Sequence, residues 1–138
     1  MAKNLNNFIV ALISFSMSCL LMAESVIINI SALSGAYYIN DIRQKALVFN
    51  VGSTYTFTGY SEWHPVSLST TADGIWKDGK NYFIGVRKKS ESLSITVTDK
   101  TPPLFYYCDH HPDMGGKISI TNSNASHHSI YKLSLIHI

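Results

Sequence analysis

Leu104-Phe105-Tyr106-Tyr107-Cys108-Asp109-His110-His111-Pro112-Asp113-Met114-Gly115-Gly116-Lys117-Ile118 reads as an apolar strand, a short polar loop and the start of a second strand. Cys108 closes the first strand, so the sheet can fix its sulfur while the loop curls back. His111 follows three residues later and Met114 three after that. Pro112 stiffens the turn between them, and Gly115-Gly116 lets the chain leave tightly before Lys117. A thiolate and imidazole nitrogens in a trigonal plane, with a distant thioether on the axis, suit copper in both of its oxidation states. The second imidazole must come from elsewhere. His64, in Glu62-Trp63-His64-Pro65-Val66, is the candidate, and Pro65 biases it toward an extended backbone at a strand edge. Whether His110 or His111 is the loop ligand stays open on residue type alone.

Outward from this loop the chain is all β in character. Short runs rich in β-branched and aromatic residues are expected as strands at 25–31, 36–39, 45–50, 54–58, 65–69, 82–86, 93–98, 104–108 and 117–121. Ser92-Leu93-Ser94-Ile95-Thr96-Val97-Thr98 alternates cleanly, with Leu93, Ile95 and Val97 on one face and hydroxyls on the other. Turn chemistry separates the runs at Asn40-Asp41, Val51-Gly52, Ala72-Asp73-Gly74, Asp78-Gly79 and Pro102-Pro103. No helical period or internal repeat interrupts them; residues 76–89 read as a loop or a short helix. The pattern predicts an antiparallel Greek-key β-sandwich.

At 138 residues the chain is long enough for one such domain with a real core and too short for two. Charged residues make up only 14% and the formal net charge is +2, which lacks the basic footprint of a nucleic-acid binder. Met1-Ala2-Lys3-Asn4, the apolar run from Phe8 to Leu21 and the small Ala23 follow the plan of a secretory signal cleaved after Ala23. That run is shorter than the roughly 20 residues of a membrane span, so no span is expected in the mature chain. Lipidation at Cys19 is an open variant. If Cys19 departs with the signal, Cys108 is a lone thiol in an oxidising compartment, where metal coordination protects it. The domain is expected at 24–121, followed by a polar tail or linker at 122–132 that carries His127 and His128 as solvated residues. Leu133-Ser134-Leu135-Ile136-His137-Ile138 reads like the translation of a sequencing-library adapter, and on that reading the natural chain is free to extend past Lys132.

Tyr106-Tyr107-Cys108-x-x-His111-Pro112-x-Met114-Gly115-Gly116-Lys117-Ile118 resembles the C-terminal copper loop of the cupredoxins, the small blue copper proteins. Its spacing is most similar to the short loop of amicyanin and is related to those of plastocyanin and pseudoazurin. A looser likeness extends over about 24–121, through Gly52-Ser53-Thr54-Tyr55-Thr56-Phe57 and the turn at 69–74. The resemblance implies copper held by His64, Cys108 and His111 in a plane, with Met114 as weak axial ligand. It also implies that electrons pass at the exposed edge of His111, beside an apolar docking patch that includes Pro112. Two departures stand out. His110 occupies the place where loops of this length usually carry a Pro, and Pro65 replaces the Asn that often ties the two ligand segments together.

These readings converge on an exported electron carrier of the periplasm, cell envelope or extracellular space, one copper per domain, monomeric, serving unidentified protein redox partners and breaking no substrate bond. Two other functions fit the same residues. One is a copper-trafficking or copper-storing domain, and the other is a cupredoxin-like interaction module of a longer surface protein. A multicopper oxidase is disfavoured, because the surroundings of Cys108 lack the flanking histidines of a copper cluster. Trp63, Tyr106 and Tyr107 are expected as packing residues.

Overall fold

A computed structural model describes residues 23–122, and the expected signal, the polar tail beyond Asn122, His127, His128 and the terminal segment lie outside them. In chain order the elements are β1 (Ser25–Leu33), β2 (Ala36–Ile39), β3 (Ile42–Arg43), β4 (Leu47–Asn50), β5 (Thr54–Thr58), β6 (Val66–Ser69), a 3-10 turn (Gly74–Lys77), β7 (Val86–Lys88), β8 (Ser92–Thr96), β9 (Leu104–Cys108) and β10 (Gly116–Thr121). They form two sheets, one ordered β3-β2-β1-β5-β8-β7 and the other β4-β10-β9-β6. The chain changes sheet after β3, β4, β5, β6 and β8. No helix among the described residues is long and apolar enough to cross a membrane.

Alternation decides which face each strand buries. In β5 Tyr55 and Phe57 point inward while Thr54, Thr56 and Thr58 stay half-exposed, and in β8 Leu93 and Ile95 are buried in the same manner. Aromatics from both sheets meet between the layers: Phe57 of β5 and Tyr106 of β9 have ring centroids 5.8 Å apart, and Tyr37 of β2 lies 6.3 Å from Tyr106. On the outer face, Thr54 and Thr96 hydroxyls are 3.0 Å apart across β5 and β8.

The sandwich expected from the pattern is present, with one amendment to its strand directions. The pairs β1·β5 and β4·β10 are parallel, and the other pairings are antiparallel. A parallel pair needs a crossover, and here the chain between β1 and β5 supplies it by passing through β2, β3 and the other sheet's β4. Local alternation is the same for either direction, so the pattern could not separate them. β1 also runs on to Leu33, where Ser34 and Gly35 both take positive φ (49° and 73°) and close a two-residue hairpin into β2. The short β3 was not expected.

The expected strand at 82–86 is instead a covering segment. Tyr82 gives its N–H to the Leu68 carbonyl at 2.7 Å, Asn81 bridges Ser69, and Val86, the first residue of β7, closes a turn onto the Phe83 carbonyl at 3.1 Å. This segment lies against β6, which is why all four β6 residues are buried although Ser67 and Ser69 face away from the core. Phe83 and Ile84 are left on the surface.

Candidate metal centre

Strand register brings the upstream histidine to the thiol. β6 pairs antiparallel with β9, with Val66 opposite Cys108, so the residues just before Val66 lie alongside the loop that follows Cys108. Ser61 accepts the His64 N–H at 3.0 Å in a turn ahead of Pro65, and Pro65 in turn accepts the Asp109 N–H at 3.2 Å. This turn sends His64 inward and Trp63 outward. Trp63 is 72% exposed, so the packing role expected for it is corrected; Tyr106 and Tyr107 are fully buried as expected.

Cys108 is buried at the end of β9, its sulfur 3.9 Å from His64 Nδ1 and 3.8 Å from His111 Nδ1. All three donor atoms lie within 4.8 Å of one another, and the two imidazole centroids are 4.7 Å apart. Thiolate and imidazole donors at typical bond lengths of about 2.3 and 2.0 Å around one trigonal metal are separated by about 3.7 Å. The two sulfur–nitrogen distances therefore match those around a first-row ion. His110 turns the other way, its Nδ1 3.2 Å from the Trp63 carbonyl, so the geometry favours His111 over its neighbour. Met114 is 1% exposed and belongs to the same buried cluster as Cys108. His111 is exposed, which opens one imidazole of the group to solvent.

Several residues beyond the four candidate ligands hold this end of the sandwich. Both carboxylate oxygens of Asp73 accept the Asp113 N–H, at 3.0 and 2.9 Å. Gln44 donates its amide to the carbonyls of Asp113 (2.8 Å) and Gly115 (2.9 Å). Tyr37 donates its backbone N–H to the Met114 carbonyl at 2.8 Å and its hydroxyl to the His64 carbonyl at 2.6 Å. The Trp76 indole donates to the Cys108 carbonyl at 2.9 Å. Asp109 accepts from Ser67 and from Lys88, each at 2.7 Å, joining the end of β9 to β6 and to β7 of the opposite sheet. Gly115 passes so close to β9 that an added Cβ would sit 1.7 Å from the Tyr106 carbonyl oxygen.

Electrostatics favour a neutral ligand. Burial lowers the His64 pKa below the usual imidazole value, and the neighbouring His111 and His110 lower it further. A metal needs the unprotonated ring, so this shift keeps a donor available to more acidic pH. Tyr37 is moved upward, first by burial and then by the Cys108 thiol beside its hydroxyl, and stays a neutral donor. Among the described residues Cys108 is free of any disulfide.

A two-sheet sandwich that gathers a strand-end thiol, a loop imidazole and an upstream imidazole at one end meets the expectation drawn from the resemblance. The chain is cupredoxin-like in fold. It matches no family profile and no curated protein. Among solved structures it is similar to rusticyanin from Thiobacillus ferrooxidans, with 14% identity over 72% of this chain and 79% of that one and a TM-score of 0.47. Reduced rusticyanin is similar at 16% identity, covering 72% of this chain and 81% of that one, with a TM-score of 0.43. A reduced amicyanin variant is 22% identical over 70% and 82% of the two chains, with a TM-score of 0.42. At likenesses this distant, the chemistry of the cupredoxin-like end rests on the chain's own side chains.

Proposed function

We propose that this chain is an exported blue copper protein that carries single electrons between protein redox partners, with copper bound by His64, Cys108, His111 and, axially, Met114. The observation that carries the reading is the buried Cys108 sulfur with two imidazole nitrogens at 3.9 and 3.8 Å. Bound copper supplies one-electron exchange between Cu(II) and Cu(I), and the mixed sulfur and nitrogen donor set suits both states.

The remaining work falls to the protein. The bonds from Asp73, Gln44 and Tyr37 fix the ligand loop from outside, so the donors keep their places when the charge changes. Exposed His111 offers the route by which electrons enter and leave, and the exposed Trp63 nearby provides apolar surface for a partner. Export is supported by the N-terminal pattern of a charged start, an apolar run and a small residue at Ala23.

Redox cycling separates this reading from copper storage or trafficking. The copper-loaded protein should be bleached by a small electron donor and recoloured by an oxidant over repeated cycles with copper retained. Release of copper on the first reduction would point to trafficking instead.

A further inference from the structure

We propose that Tyr37 is the positioning residue that fixes the distance between the two ligand-bearing segments; the inference rests on the copper reading above. Tyr37 is fully buried on β2, in the six-stranded sheet, whereas β6, β9 and β10, which flank the His64 and Met114 segments, belong to the four-stranded sheet. One residue therefore reaches across the sandwich and bonds both segments. Its N–H holds the Met114 carbonyl at 2.8 Å, and its hydroxyl holds the His64 carbonyl at 2.6 Å.

Among the described residues, Tyr37 is the one outside both segments that hydrogen-bonds each of them; the direct ties between the segments, His110 Nδ1 with the Trp63 carbonyl and the Asp109 N–H with the Pro65 carbonyl, are both longer, at 3.2 Å. Pro65, directly after His64, has no N–H and no polar side chain, so it cannot tie the segments by donating a hydrogen bond. Its carbonyl takes only the Asp109 N–H, at the longer distance of 3.2 Å. Gln44 and Asp73 bond the loop around Asp113 and Gly115 but not the His64 segment. The Tyr37 ring, packed 6.3 Å from Tyr106, is held by the core and so cannot swing to follow a drifting His64. These two bonds set the spacing of the segments that carry the donors.

Tyr37→Phe keeps the ring and the N–H to Met114 and removes only the hydroxyl. Tyr106→Phe is the control, since it also deletes a buried hydroxyl, one that bonds the Lys45 carbonyl at 2.9 Å. Both variants and the wild-type chain are loaded with copper, and the thiolate-to-copper absorption and the rate of copper loss to a chelator are measured. The inference expects copper loss about tenfold or more faster in Tyr37→Phe, with a displaced absorption band, and neither change in Tyr106→Phe. Loss rate and band equal to wild type in Tyr37→Phe overturn it while leaving the copper reading intact. Equal changes in both variants also overturn it, as a general effect of core damage. No band in the wild-type protein overturns the copper reading itself. Should Tyr37→Phe fail to fold, the wild-type hydroxyl is followed by proton NMR: a slowly exchanging Tyr37 hydroxyl in the metal-free protein supports the tie, and rapid exchange refutes it.

Discussion

His64 and Cys108, 44 residues apart in the chain, come to 3.9 Å because Val66 pairs with Cys108 across β6 and β9. The thiol is held by a strand and the imidazole by the turn that feeds its neighbour. The donor spacing is therefore set by strand register and by the turn ahead of Pro65.

The lowered pKa of His64 gives the metal-free protein a definite pH dependence. A histidine depressed in the folded state binds its proton more readily when unfolded, so stability rises with pH from the lowered value up to about 6.5 and is level above it. Chemical denaturation of the metal-free chain should show a lower midpoint at pH 5 than at pH 7.5. His64→Gln should shrink that difference, and an unchanged difference would mean that His64 is not depressed.

Gly115→Ala tests the approach of the ligand loop to β9. The added methyl would meet main-chain atoms of Tyr106, which cannot rotate away as a side chain can. Overpacking of this kind costs about 2 kcal/mol or more and should displace Met114 with the loop. The denaturation midpoint should fall and copper binding should weaken together. Wild-type stability in this variant would contradict the described packing.

Trp76→Phe removes the donor to the Cys108 carbonyl and keeps an aromatic ring at a half-exposed position. A donor on the ligand's own peptide favours the more electron-rich, reduced state, so its loss should lower the reduction potential. A net hydrogen-bond worth of about 1 kcal/mol bounds the shift at about 40 mV. Voltammetry checks this, and a potential that rises instead would reverse the assignment.

Much of the site is legible in the chain because Cys108, His111 and Met114 share one loop, where their spacing can be read directly. His64 could be named by residue type and by the Pro65 after it, but its distance from Cys108 depends on a strand register that no local pattern displays. Tyr37 and Gln44 were not legible, and Asp73 was legible only as part of a turn. Each acts on main-chain groups of distant residues, and nothing in their own neighbourhood marks that role. The alternation in β5 and β8 revealed strands and their buried faces, yet the parallel pairing of β1 with β5 arises from crossovers. Trp63 was expected to pack because of its size, whereas the turn that sends His64 inward leaves it in solvent.

Copper binding at the Cys108 sulfur is tested most directly by visible absorption. Cu(II) is added to the purified chain and to Cys108→Ser, and the visible spectrum is recorded. An intense thiolate-to-copper band that saturates at one copper per chain and is absent from Cys108→Ser is the predicted result. A chain that folds but stays colourless, with no copper retained, would contradict the claim.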